Sequence, residues 1–249
     1  MQPEICVLVP TYNNARFLKS TLEDILQYAE NVIVVNDGST DETVEILKNF
    51  SEKITVFSYP GNRGKGYALR KSFDIAENQG FRYAITMDSD GQHLGCDLPI
   101  FYEKILQNAD SVIIGSRQLK QKNMPAGNTF ANKFSNFWFT VQTGKRLPDT
   151  QTGFRLYPLH KMNGMRPFFS RYESELELLV RLAWRNINII PVKINVRYPT
   201  DRITHFRPFA DFLRISILNA FFCILAVIYG YPKKFILWAK KLVLIKDTN

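Results

Sequence analysis

The feature that most constrains this chain is an alternation. Short runs of wholly apolar residues end in polar loops, and each is followed by a segment with helical spacing. Ile5-Cys6-Val7-Leu8-Val9-Pro10 is rich in apolar residues and closed by Pro10, which predicts a buried strand. Apolar residues at Phe17, Leu18, Leu22, Ile25, Leu26 and Ala29 then recur at helical intervals. The pattern repeats with strands expected at 32–35, 54–57, 83–87 and 112–114. Helices are expected around Val44, Ile46, Leu47 and Phe50, at 67–77 and at 98–107. Strands that are apolar on both faces and separated by helices predict an α/β fold, a mostly parallel sheet flanked by helices. Such sheets bind ligands at the carboxyl ends of their strands. Polar clusters stand at three such ends: Pro10–Asn14, Asn36–Asp41 and Asp88–His93. They are expected to converge on one crevice.

Beyond residue 117 the pattern loosens. Residues 118–127 read as a polar loop and 130–141 as an aromatic-rich segment. A helix is expected at 173–183 and a strand at 189–196, with no internal repeat. The chain has 249 residues, enough for one large domain or a domain with an appendage. Its 45% apolar content excludes a disordered chain. Cys6, Cys96 and Cys223 are too scattered for a disulfide framework or a zinc site and suit a reducing compartment. The first residues lack a basic segment, so no secretory leader is expected. The net charge of +9 is unevenly spread. Residues 197–249 hold 9 basic and 3 acidic side chains, so two thirds of the excess lies in the last fifth of the chain. A catalytic domain at 1–205 and a basic, apolar tail at 206–249 are expected. Charge gathered beside apolar residues, without an aromatic or helix–turn–helix platform, argues against nucleic acid as a partner.

The chemistry is concentrated in short constellations. Asp88-Ser89-Asp90-Gly91-Gln92-His93 directly follows an apolar strand. Two carboxylates one residue apart repel unless a cation or proton intervenes. Hard oxygen donors of this kind suit Mg²⁺ or Mn²⁺, with a substrate diphosphate as further ligand. The alternative is a solvated turn with Asp as a helix cap. In Asn36-Asp37-Gly38-Ser39-Thr40-Asp41, Asp37 is placed to accept hydrogen bonds from a base or ribose, and Thr40 or Asp41 to cap the next helix. Gly61-Asn62-Arg63-Gly64-Lys65-Gly66 opens a helix and suggests phosphate cradling by Lys65 and backbone N–H groups. It matches neither the P-loop nor the dinucleotide fingerprint. Arg117 follows another apolar strand. Asp149-Thr150-Gln151-Thr152-Gly153-Phe154-Arg155 is a polar loop entering a short strand.

Taken in order, these segments resemble the family 2 glycosyltransferases of the glycosyltransferase A fold, most nearly the dolichol- or polyprenol-phosphate mannose and glucose synthases. The resemblance covers residues 4–207. It implies that Pro10, Tyr12 and Asp37, with Asn14 and the backbone of Val35, hold the donor nucleotide, and that Asp88 contacts the ribose or diphosphate. It implies a divalent metal on Asp90 and Gln92, with Asp88 beside them, and donor contacts from Arg117 and Lys65. Glu175 matches an acidic position on the acceptor side. Arg202 and Arg207 fall where relatives place basic residues on phosphates. Asn14 and Asn36 depart from the Glu and Asp common in the family, which leaves the donor-base contacts open. The Q-x-x-R-W signature of processive polysaccharide synthases is missing.

The implied reaction moves a sugar, with inversion, from a nucleotide diphosphate sugar to a lipid acceptor such as a polyprenyl phosphate. A phosphate acceptor is anionic at neutral pH and needs no strong base. A hydroxyl acceptor on a glycolipid or polysaccharide precursor needs a carboxylate to take its proton. Asp149 is the first candidate for that base and Glu175 the second. A nucleotidyltransferase would want a glycine-rich basic loop after the first strand, which Pro10–Asn14 lacks. A non-catalytic nucleotide-binding scaffold stays open through Asn14 and Asn36. The run 215–231 is interrupted mainly by Ser216 and Asn219 and is followed by Lys pairs and Trp238. It predicts a tail held at an anionic membrane, with the active site on the cytoplasmic side, or helices paired in a homo-oligomer.

Overall fold

The computed structural model describes residues 4–117, 126–162, 164–171, 173–197 and 208–232. Its elements run β1 (Ile5–Thr11), α1 (Ala15–Ile25), β2 (Val32–Asn36), α2 (Thr43–Lys48), β3 (Thr55–Ser58), α3 (Lys65–Asn78) and β4 (Tyr83–Thr86). Then come α4 (Leu98–Gln107), β5 (Val112–Arg117), α5 (Ala126–Thr143), β6 (Arg155–Pro158), α6 (Leu159–Met162), α7 (Glu173–Trp184), β7 (Ile189–Ile194) and α8 (Pro208–Leu225). The strands form one seven-stranded sheet in the order β3-β2-β1-β4-β6-β5-β7. All pairings are parallel except those of β6, which runs antiparallel to both β4 and β5. The expected α/β sheet flanked by helices is therefore present.

The period-two alternation of side chains sorts the core onto two faces. Cys6 and Leu8 of β1 join Leu69 and Phe73 of α3, Phe139 of α5 and Leu178 of α7 on one side. Val7 and Val9 join Leu18 and Leu22 of α1, Leu47 of α2 and Phe101 of α4 on the other. Strands β1 and β2 are buried almost throughout, whereas all four residues of the edge strand β3 are exposed. The sheet order reverses between β1 and β4, so the loops after them open a crevice at a topological switch point. Strand β1 also runs one residue past Pro10, which was expected to end it. Its last β4 partner is at Leu8↔Thr86, while Pro10 and Thr11 pair only with β2, so the missing N–H of Pro10 falls where one flank is already unpaired.

Of the expected loop at 118–127, residues 118–125 lie outside the described residues, and Ala126 and Gly127 open α5. Helix α8 covers much of the apolar run at 215–231, and a short π-helical stretch at Ala226–Gly230 follows it. Leu218, Phe222 and Ala226 are buried in the first core cluster beside Trp184. Asn219, which interrupts the run, accepts a hydrogen bond from Gln142 Nε2 at 3.0 Å. The opposite face leaves Ile217, Phe221, Ile224, Val227 and Ile228 exposed. Among the described residues, no helix is long and apolar enough to cross a membrane. The Lys pairs and Trp238 lie outside the described residues.

Candidate active site

The loops after β1 and β2 are laced together. Asn13 takes a left-handed conformation (φ 45°), and its side chain accepts the Thr40 backbone N–H at 2.7 Å. Asp41 accepts the backbone N–H groups of Ala15 (3.0 Å) and Thr43 (3.1 Å), so one carboxylate serves the N-terminal turns of both α1 and α2. Asn14 is buried, and its Nδ2 donates to the Ser89 carbonyl at 2.6 Å and to Ser89 Oγ at 3.0 Å. This residue therefore fastens the Asp88–Asp90 loop from below. Pro10 and Val35 pair across β1 and β2, and Val35 is fully buried. Tyr12 is half-buried at the same edge.

Asp37 organises the glycine–lysine turn. Its carboxylate accepts from Tyr59 OH (2.7 Å), Asn62 Nδ2 (3.0 Å), and the backbone N–H groups of Arg63 (2.7 Å) and Gly64 (2.8 Å). Gly38 (φ 69°) lies so close to Gly61 that a Cβ would overlap its backbone. The far side of the turn docks on another segment. Gly66 N–H donates to the Ser170 carbonyl at 2.8 Å, and Cβ atoms on Gly64 or Gly66 would overlap the Ser170 and Phe169 carbonyls. Clamped this way, Lys65 places Nζ 2.5 Å from Asp88 Oδ1 and 3.0 Å from Glu175 Oε2. Burial works against the Lys65 charge, but the two carboxylates outweigh it and raise its pKa. Lys65, expected on phosphate, thus bridges the aspartate motif to α7.

Asp90 accepts from the backbone N–H of Gln92 at 3.1 Å and from its Nε2 at 2.6 Å. The loop so folded sets a carboxylate and an amide side by side, with Asp88 nearby. That donor set of two carboxylates and a neutral amide fits a hard divalent cation. Among the described residues, no group of three or more His, Cys, Asp or Glu gathers around one point. Next in the chain, His93 is buried, with its ring 5.2 Å from that of Phe154 and Nε2 4.0 Å from Asp88 Oδ2. Burial pushes its pKa down to about 4, so the ring is neutral at neutral pH.

Arg117, at the end of β5, grips Asp149 with two bonds, Nε to Oδ2 at 2.6 Å and Nη2 to Oδ1 at 2.9 Å. Asn132 Nδ2 (2.6 Å) and the Gln151 backbone N–H (3.1 Å) also reach Asp149 Oδ1. Asp149 is completely buried. Burial alone would raise its carboxyl, but the hydrogen bonds and charge of Arg117 hold it below the usual carboxylate range. Beside the larger effect of burial, the charges of Asp88 and Asp149 act to raise the His93 pKa and those of Arg117 and Lys65 to lower it.

The motif reading named Gly153 and Arg155 without a role for either and missed a polar stripe on α5. Arg155 is fully buried and donates to the carbonyls of Thr152 (2.7 Å), Thr150 (2.9 Å) and Glu175 (2.6 Å), so the 149–153 loop is wrapped around it. Asn132, Ser135 and Asn136 form a polar stripe at helical spacing on α5. Asn136 Oδ1 accepts the Thr150 N–H at 2.9 Å, and Thr150 Oγ1 bonds Ser135 Oγ at 2.8 Å. That spacing was the available signal inside an aromatic-rich segment. Gly153 lies so close to the Asp88 carboxylate that a Cβ would overlap it. Arg202 and Arg207 lie outside the described residues.

The sheet and its loops correspond to known enzymes. The model of the family described as Glycosyl transferase family 2 matches residues 6–161. The chain belongs to that family. The family 2 glycosyltransferases similar to it include the UDP-N-acetylglucosamine--dolichyl-phosphate N-acetylglucosaminyltransferase of Methanococcus voltae. That enzyme is 26% identical over 240 residues, spanning 86% of this chain and 96% of the relative. The dolichyl-phosphate beta-glucosyltransferase of Drosophila melanogaster is 29% identical over 242 residues, 86% of this chain and 72% of the relative. The fold matches the glucosyl-3-phosphoglycerate synthase of Mycobacterium tuberculosis, solved with Mn²⁺, UDP and phosphoglyceric acid. The TM-score is 0.68 at 18% identity, covering 90% of this chain and 78% of that one. The chain is thus a family 2 glycosyltransferase of the glycosyltransferase A fold.

Proposed function

We propose that this glycosyltransferase moves a sugar from a nucleoside diphosphate sugar to a polyprenyl phosphate of the dolichyl type, inverting the anomeric centre at a membrane surface. One observation carries the choice of acceptor. Both carboxylates that could serve as a base are engaged, Asp149 by Arg117 and Glu175 by Lys65. A hydroxyl acceptor needs a base, whereas a phosphate oxygen is already anionic. The two relatives named for dolichyl phosphate support the same acceptor.

In this reading the acceptor oxygen attacks the anomeric carbon from the face opposite the diphosphate, and the bond to the diphosphate oxygen breaks. Arg117, held rigid by Asp149, faces phosphate charge without reorganising, as electrostatic stabilisation requires. Lys65 sits between Asp88 and Glu175 and balances their charge. Asp90 and Gln92, with Asp88, would hold a Mg²⁺ or Mn²⁺ ion, which when bound supplies positive charge to the leaving diphosphate. The exposed apolar face of α8, with Phe137 and Val141 exposed on α5, supports docking on lipid. A cytoplasmic orientation follows if the donor is a cytoplasmic nucleotide sugar.

The test is transfer of label from a panel of nucleotide sugars to polyprenyl phosphate with Mn²⁺ or Mg²⁺. Organic-soluble label is expected, and it should disappear with EDTA and in Asp90→Ala. Label that reaches only hydroxyl acceptors would sink the acceptor assignment. Full activity after EDTA and in Asp90→Ala would sink the metal assignment.

A further inference from the structure

A groove of about 300 Å³ lies between α7 and α8, away from the aspartate loop. Phe168 and Phe169 form one wall, Phe221, Leu225 and Tyr229 the other, and the nearly buried Trp184 lies between them. Two guanidinium groups also line it, but both are tied to the protein. Arg181 donates to Glu177 and to the Arg166 carbonyl at 2.7 Å, and its guanidinium sits 4.2 Å from the Phe168 ring centre. Arg185 donates to the Met162 carbonyl at 2.8 Å. The space these groups leave is suited to hydrocarbon.

The Phe168–Phe169 wall and helix α7 lead to the catalytic centre. The backbone of Phe169 and Ser170 packs on Gly64 and Gly66, which flank Lys65. Helix α7 begins at Glu173 and carries Glu175, the partner of Lys65, in its first turn. At the α-helical rise, Arg181 and Arg185 stand about 9 and 15 Å along α7 from Glu175. The other end of the groove opens outward. Phe221 and Tyr229 line it and are also exposed, continuing into the apolar face formed by Ile217 and Ile224 of α8 and Ile228 of the π-helical stretch. A chain lying in the groove would therefore run from the lipid-facing side toward the ion pairs.

We propose that this groove receives the phosphate-proximal isoprene units of the acceptor lipid, an inference that rests on the polyprenyl phosphate reading above. Its volume is near the lower end of ligand pockets, roughly 300–1,000 Å³, so it takes the first part of a long chain and leaves the rest in lipid.

The experiment compares geranyl, farnesyl and geranylgeranyl phosphate as acceptors for the full-length protein in detergent. Partial burial of each further five-carbon unit should lower the acceptor KM by about tenfold until the groove is full. Leu225→Trp, which fills the groove, should flatten that series and leave the donor KM and the kcat with geranyl phosphate unchanged. Phe168→Ala removes an exposed wall residue and should raise the KM of the longer acceptors severalfold, so it carries the test if Leu225→Trp fails to fold. Farnesyl phosphate should shift Trp184 emission, inorganic phosphate should not, and Trp184→Phe should lose the response. If sugar is transferred but both variants follow the wild-type length series, the groove assignment falls and the acceptor reading stands. If no polyprenyl phosphate accepts sugar, the acceptor reading falls and the groove assignment with it.

Discussion

Gly153 owes its lack of a side chain to Asp88, which lies across the β4–β6 pair and occupies the space a Cβ would need. Gly153→Ala should push the Asp88 carboxylate off Lys65 while leaving the sheet intact. Displacement of about 1 Å at a reacting centre can cost roughly 100-fold in rate. A loss of that order in kcat, with a melting temperature lowered by only a few degrees, is the expected outcome. Unchanged kcat would show that the position of Asp88 is not limiting. Asp149 gives a second prediction with a pH dependence. A carboxylate held below its ordinary range stabilises the fold above the unfolded value, about 3.9, and loses that contribution as pH falls through the folded value. Asp149→Asn leaves the Arg117 charge without its partner, which should destabilise the fold by about 3 kcal/mol at neutral pH. The gap between variant and wild type should narrow in urea melts as pH drops below 4. A constant gap would mean that Asp149 does not supply the acid sensitivity. Asp88, Asp90 and Arg117 were legible as candidates because each follows an apolar strand. The Lys65–Glu175 contact was not, because it joins residues 110 positions apart and no local pattern encodes it.

At the scale of elements, hydrophobic periodicity located β1, β2, β4 and β5 because their apolar runs are buried on both faces. It could not show that β6 inserts antiparallel between β4 and β5. A four-residue strand reads the same in either direction, and its pairing depends on where the chain returns after α5. Helix α5 hid its polar stripe among aromatic residues that face several ways. Helix α8 is the clearest case of structure adding to sequence. Its apolar run suggested only a lipid or dimer contact, yet Leu218, Phe222 and Ala226 belong to the core. Phe222 meets Trp184 edge-on, with ring centres 5.7 Å apart. Phe222→Ala should therefore cost about 3–5 kcal/mol in global stability, read as a lower urea midpoint for the catalytic domain. An unchanged midpoint would show that α8 is a separable appendage.

Over the whole molecule, charge and apolar surface divide by position. The acidic centre is paired internally with Lys65 and Arg117, so the excess of basic side chains in 197–249 is left to act outside it. That excess follows and flanks the helix whose outer face exposes Ile224 (60%) and Ile228 (69%). Apolar insertion by that face and attraction of the basic residues to anionic headgroups would act together, and only the second is screened by salt. Full-length protein should cosediment with vesicles of phosphatidylglycerol and phosphatidylcholine, more weakly at high salt. The double variant Ile224→Asp, Ile228→Asp should bind at least about tenfold more weakly, since each carboxylate opposes insertion and meets like charge. Its kcat with a short, water-soluble polyprenyl phosphate should match wild type, because neither residue contributes to the ion-paired centre. Wild-type vesicle binding by the double variant would remove this face from the membrane contact. A dimer that the two substitutions dissociate, with no vesicle binding by the wild-type chain, would assign the face to a second copy instead.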